Sequence, residues 1–120
     1  MITSKVHGNL DYVTALFFLI APSLFTLSQV GIIVCYTLAI VHFLMTLLTK
    51  FPMGLFRLIP FRGHGYVELL VGILLILGPW ILADSFSKTD ELLFMICGVV
   101  ILAVWFLTDY QIETVKKSRS

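Results

Sequence analysis

Four long apolar runs alternate with short polar segments along the chain, and each run has about the length of a membrane-spanning helix. The stretch 12–49 contains no Asp, Glu, Lys or Arg, and it is about twice the roughly 20 residues that one crossing needs. The chain therefore has to turn once within it. The Ser-Gln pair at 28–29 leaves a spanning length on either side, so the pattern predicts helices over about 11–27 and 30–48.

The second half follows the same plan with a longer turn. Residues 67–83 are apolar except for Glu68, residues 84–91 are polar, and an apolar run follows. This predicts helices over about 67–83 and 92–108. Apolar residues make up 59% of the chain and charged residues 12%, against roughly a quarter charged in soluble domains. The sequence thus predicts an all-α membrane protein with four transmembrane helices in a single domain, residues 1–120.

The two halves share a motif. HGNLD at 7–11 and HGYVE at 64–68 are 57 residues apart, and the same offset carries Pro22 onto Pro79. We interpret this as two tandem helical-hairpin repeats, 5–50 and 64–110, which enter the membrane in the same direction and form the parallel kind of repeat. For the second helix of each repeat the offset stays open. Matching Cys35 to Cys97 requires 62, and matching the Leu-Thr pairs at 48–49 and 107–108 requires 59.

Basic residues predict the orientation. One cation, Lys88, falls on one side of the predicted membrane, and the other seven fall on the opposite side: Lys5, Lys50, Arg57, Arg62, Lys116, Lys117 and Arg119. By the positive-inside rule, both termini, the central linker and the tail 111–120 are cytoplasmic. The net charge of +1 and the lack of a basic face give no reason to expect a nucleic-acid partner.

The linker 50–63 mixes apolar residues with cations. On a helix, Leu55, Leu58 and Ile59 share one face, away from Arg57. We expect an amphipathic segment in the plane of the membrane, with Arg57 and Arg62 toward lipid phosphates. A lipid-specific or partner-binding site is the alternative.

Several motifs together resemble the bacterial SPW-repeat family of small membrane proteins, over nearly the whole chain. They are HGxxDY from residue 7, LTxxxMGLxRLIP from residue 48, HxxxE from residue 64 and Gly-Pro-Trp at 78–80. The chain departs from the family's Ser-Pro-Trp motif, because Gly78 replaces the Ser in the second copy and the first copy, Ala-Pro-Ser at 21–23, lacks the Trp. The resemblance implies the fold and a bacterial cytoplasmic membrane, and it implies no substrate.

The prolines have a simple structural interpretation. Proline removes a backbone donor and bends or ends a helix, and Pro22 and Pro79 lie near the outer ends of the predicted first and third helices. Trp80 is then expected at the membrane interface as an aromatic anchor.

Two His/carboxylate pairs are the candidates for chemistry. His7 with Asp11 and His64 with Glu68 stand at spacing i, i+4, which places each pair on one helix face. If the first and third helices pack together, the four side chains converge. Three interpretations stay open: structural ion pairs, with the acids in first helical turns where the dipole favours them; a proton or substrate site; and a metal site, since these donors suit Zn, Mn or Fe.

His42 is a further candidate, because it lies well inside the second predicted helix. A charge at that depth is costly, so we expect His42 to face the interior of the bundle and to bond a neighbouring helix, or to belong to a binding site.

These features favour a non-enzymatic accessory or structural membrane component without a cofactor. The lipid bilayer is its expected partner, with a homo-oligomer or a larger membrane complex as further options. A small transporter or an ion-binding or small-molecule-binding protein centred on the His/carboxylate cluster is the alternative.

Overall fold

The computed structural model describes residues 1–50, 52–108 and 110, and they form an all-helical bundle. Four long helices follow one another: α1 (Ser4–Leu24), α2 (Gln29–Leu48), α3 (Phe61–Ile81) and α4 (Lys88–Leu107). A short 3-10 turn, Ala83–Ser85, joins α3 to α4. The hairpins pair α1 with α2 and α3 with α4.

Three of these helices are long and apolar enough to cross a membrane, namely α2, α3 and α4 with 20, 21 and 20 residues. At 1.5 Å per residue such helices span about 30 Å, the thickness of a hydrocarbon core. Their outward faces carry exposed apolar side chains such as Leu70, Ile96 and Phe106. α1 is as long, at 21 residues, but its first two turns are polar. The chain is thus a membrane protein by length and composition.

The first and third helices begin earlier than the sequence pattern indicates. α1 starts at Ser4 instead of about residue 11, and α3 at Phe61 instead of about 67. The Thr3 hydroxyl caps α1 by accepting from the amide of Val6 at 3.3 Å. The polar residues at 7–11 and 64–68 predict a membrane surface, yet the helices continue through them, and the ionisable side chains of His7, Asp11, His64 and Glu68 are buried inside the bundle.

Each of these helices ends two residues after its proline, α1 after Pro22 and α3 after Pro79. The ends therefore fall at 24 and 81, slightly before the predicted 27 and 83. Trp80 is 73% exposed and points away from the bundle.

The linker differs from the predicted amphipathic helix, since the described residues 52–60 form turns and extended backbone. Its amides bond the last carbonyls of α2: Leu58 and Ile59 donate to the Leu48 carbonyl at 2.6 and 2.7 Å, and Leu55 donates to that of Leu47 at 2.8 Å. The last carbonyls of a helix have no hydrogen-bond donors within the helix, and the linker amides provide those donors. The helical face of Leu55, Leu58 and Ile59 is consequently not formed.

The helix bounds answer the question of register in the second helices. α1 and α3 start and end 57 residues apart, whereas α2 and α4 start and end 59 apart. The Leu-Thr pairs at 48–49 and 107–108 are therefore equivalent. The offset of 62 does not match the helix bounds, since the position that Cys35 holds in α2 is held by Phe94 in α4.

Asp90 joins the two hairpins at one end of the bundle. This fully buried carboxylate accepts from the amide of Ser28 at 3.1 Å and from the amide of Ser87 at 2.9 Å. It thereby caps the first turns of α2 and α4 together. The apolar core, with Phe18, Leu75 and Phe94, lies between this end and the cluster described below.

Glycine at 98 allows α3 and α4 to approach closely. A Cβ on Gly98 would lie 2.9 Å from the Gly72 carbonyl oxygen, whereas a Cβ on Gly78 would meet nothing within 4 Å. We predict that Gly98→Ala lowers the free energy of unfolding by about 1–3 kcal/mol through overpacking. Gly78→Ala, the matched control, should leave it unchanged or raise it by up to about 1 kcal/mol. Thermal unfolding in detergent checks both, and equal effects would contradict the close approach.

Candidate functional site

The four predicted His/carboxylate residues occupy equivalent places in α1 and α3. His7 and His64 are the fourth residue of their helices, and Asp11 and Glu68 are the eighth. The spacing of one turn puts each acid beside its histidine on one face. The two faces point at each other across the bundle, so the expected convergence is present.

The four side chains form a closed ring in which imidazole nitrogens and carboxylate oxygens alternate. His7 Nε2 lies 3.2 Å from Asp11 Oδ2, which lies 2.8 Å from His64 Nε2. His64 Nε2 lies 3.0 Å from Glu68 Oε1, and Glu68 Oε2 lies 2.8 Å from His7 Nε2. None of the four residues is more than 4% exposed. We call this set the four-residue ring.

Two threonines orient the histidine rings from behind. His7 Nδ1 lies 2.7 Å from the Thr108 hydroxyl, and His64 Nδ1 lies 2.6 Å from that of Thr49. Each hydroxyl donates its one proton to its own helix, Thr108 to the Val104 carbonyl and Thr49 to that of Met45. The hydroxyl oxygen therefore accepts from Nδ1–H of the histidine, and Nε2 is the nitrogen directed into the ring.

His42 joins the same site from α2. It is 6% exposed, and its Nε2 lies 3.5 Å from Asp11 Oδ1 and 3.6 Å from Glu68 Oε1. The prediction that it faces the interior of the bundle is confirmed. The sequence pattern placed it deeper than the two acids, but the early starts of α1 and α3 carry Asp11 and Glu68 about 10 Å along their helices, to the depth of His42.

Aromatic rings close the site on the side of His7. The rings of Phe61 and Tyr110 lie with centroids 5.5 and 5.8 Å from that of His7. Burial, together with the nearby carboxylates, raises the pKa of the Tyr110 phenol above its ordinary value. Gly65 permits this packing, since a Cβ there would lie 2.8 Å from the Tyr110 ring. Asp109, another residue at this end of the chain, lies outside the described residues.

The site contains two buried carboxylates whose negative charge needs neutralisation. Among the described residues, every ion-pair contact of Asp11 and Glu68 is with a histidine. Two buried carboxylates are costly unless positive charge accompanies them. Protons in the ring, on the imidazoles or on the carboxylates, or a divalent cation between the four side chains would neutralise them.

Shared protons and a bound cation require different orientations of the imidazole nitrogens and carboxylate oxygens. Within the part of the chain that the structure describes, His7 Nε2, Asp11 Oδ2 and Glu68 Oε2 are buried and have no hydrogen bond of proper geometry, although each has a neighbour in the ring within 3.2 Å. Protons shared between neighbours would require N–H bonds aimed at the oxygens, and the ring has one hydrogen bond of this kind, between His64 Nε2 and Glu68 Oε1 at 3.0 Å. Donors that converge on a common centre need no such alignment, and the ligand atoms of the four residues all lie within 4.8 Å of one another.

The helix-dipole interpretation of the acids is wrong, because neither α1 nor α3 has an acid in its first turn. Arg57 and Arg62 are exposed and lie outside the ring, as do Pro22, Pro79 and Trp80. The sequence reasoning missed the roles of Thr49 and Thr108. The sequence signal for these roles is the match of the two Leu-Thr pairs at an offset of 59, which by itself indicates only how the two helices correspond.

Comparisons with family models, curated proteins and solved structures find no match for this chain.

Removal of either threonine hydroxyl should destabilise the site. In Thr49→Val and Thr108→Val the buried Nδ1–H loses its acceptor, and we expect a loss of about 1–3 kcal/mol in the free energy of unfolding for each variant. Thr46→Val is the matched control, since Thr46 is equally buried and its hydroxyl donates to the His42 carbonyl at 2.7 Å. Chemical denaturation in detergent measures all three. Similar losses in all three variants would argue against the proposed support of the histidines.

Proposed function

We propose that this chain is a small multi-pass membrane protein that binds one divalent transition-metal ion between two helical hairpins, through His7, Asp11, His64 and Glu68. The observation that carries the proposal is the four-residue ring, buried and alternating in nitrogen and oxygen, with three donor atoms that make no aligned hydrogen bond. It belongs to the ion-binding alternative that the sequence left open.

The membrane arrangement is part of the proposal. We take α1 as a fourth crossing because it matches α3 in length and because two of its ionisable side chains, His7 and Asp11, are buried. The constant offsets of 57 and 59 support two tandem hairpin repeats related by an axis along the membrane normal. The distribution of Lys and Arg supports cytoplasmic termini and linker. The motifs shared with the SPW-repeat family support a bacterial cytoplasmic membrane.

The donor set fits a metal of the zinc, iron or manganese class. Two imidazole nitrogens with two carboxylate oxygens suit these ions, whereas Mg²⁺ and Ca²⁺ prefer oxygen alone. Bonds of about 2.1 Å in a tetrahedron give ligand–ligand distances of about 3.4 Å. The adjacent ring distances of 2.8–3.2 Å are a few tenths of an ångström shorter than this, and the ligand atoms lie within 4.8 Å of one another, so adjacent atoms would move apart and opposite atoms would move closer to form a tetrahedron. The Nδ1–H bonds to Thr49 and Thr108 supply the outer support that metal-binding histidines usually have.

A purely structural membrane component is the competing function. In that case protons hold the ring together, and the protein is indifferent to metal. The two functions therefore differ in a direct measurement on the purified protein.

We predict that chelator-stripped protein in detergent takes up one Zn²⁺ per chain and gains thermal stability, by about 2.7 kcal/mol at a free zinc concentration of 100 times Kd. Asp11→Asn and His64→Gln should lose the stoichiometric metal and the stabilisation, because each removes one donor. Asp90→Asn, which alters a buried carboxylate at the far end of the bundle, should retain both. Elemental analysis and thermal unfolding are the readouts. No stoichiometric metal and no stabilisation in the unmodified protein would reject the metal in favour of protons.

A further inference from the structure

A small cavity beside the four-residue ring has a further consequence for the chemistry of the site. Its volume is about 20 Å³, and it lies between α1 and α4. Asp11, Glu68 and His42 form its polar wall, and Ile101 and Val104 of α4 form its apolar wall. A cavity needs about 10–15 Å³ and two to four polar partners to hold one water molecule. This one therefore has room and partners for a single water or a small anion.

His42 has no polar counterpart in the second hairpin, unlike the other polar residues of the site. Residues of the two hairpins correspond in pairs: His7 with His64, Asp11 with Glu68, and Thr49 with Thr108. The offset of 59 carries His42 onto Ile101, so one wall of the cavity has an imidazole where the other has an alkyl group. A closed four-ligand site needs only the paired residues. The additional imidazole lies 3.5 and 3.6 Å from the two carboxylates, on the cavity side.

The cavity also reaches the outer surface of the bundle. Leu10 and Val100 line it and are 36% and 54% exposed. The cavity thus lies close to the outer surface of the bundle, between α1 and α4.

We propose that the metal site is open on this side, so that an exchangeable small ligand, water or a small anion, occupies the cavity and is held by His42. The inference rests on the proposed function, since it requires a metal in the ring. Sites with an open position are typical of catalytic zinc centres, whereas structural centres are closed. The ligand class is a water-sized donor such as water itself or hydroxide, or a small anion such as azide that binds through one terminal atom.

The test uses full-length protein loaded with Co²⁺, whose visible absorption reports on coordination, and azide as the probe. We expect saturable azide-induced spectral changes. Val104→Phe should weaken the azide affinity at least ten-fold by filling the cavity, while one Co²⁺ per chain is retained. Val99→Phe is the matched control on the exposed face of α4 and should leave the affinity unchanged. Thr14→Ile narrows the same cavity from α1, and it decides the matter if Val104→Phe does not fold.

The outcomes separate the two proposals. Failure of the unmodified protein to bind Co²⁺ overturns the proposed function and the inference with it. Stoichiometric Co²⁺ whose spectrum ignores azide overturns the open position alone and leaves a closed metal site. An azide response that is unchanged in the cavity-filling variants shows that azide binds elsewhere, and it also overturns the inference.

Discussion

Two carboxylates, Asp11 and Glu68, lie in a space from which water is largely excluded, and the bundle has to neutralise them there. They are 3% and 4% exposed, and an unpaired buried charge costs several kcal/mol. Only imidazoles contact them as ion-pair partners among the described residues. The approach of the two hairpins at this end of the bundle therefore depends on neutralisation of these carboxylates, by protons or by a metal ion.

The rest of the fold holds this ring in place. Asp90 ties the two hairpins together at one end of the bundle, and the ring does so at the other. The linker bonds the last carbonyls of α2 and so leads directly into α3. Thr49 and Thr108, just after α2 and α4, bond the histidine of the other hairpin. Each hairpin thus orients a donor of its partner, which makes the site a property of the pair.

Much of this arrangement could be predicted from the sequence, because hydrophobic run lengths and one repeated motif are strong signals. The four helices and the convergence of His7, Asp11, His64 and Glu68 follow from them. The predicted helix starts are wrong because the burial of polar side chains against other polar groups cannot be read from hydropathy. The position of His42 beside Asp11 and Glu68 follows from the early starts of α1 and α3, so it could not be predicted either. The turns of the linker form because its amides bond the last carbonyls of α2, which lack donors within the helix. This tertiary interaction cannot be read from the pattern of apolar and charged residues.

X-ray absorption at the zinc edge shows directly whether the four-residue ring is a metal centre. If the ring holds zinc, the first shell consists of nitrogen and oxygen at about 2.0–2.1 Å with the scattering pattern of two imidazoles, and His64→Gln, which loses the metal, shows no such shell. A shell of oxygen alone without imidazole scattering would contradict it. It would place zinc at surface carboxylates or water and leave the four-residue ring to protons.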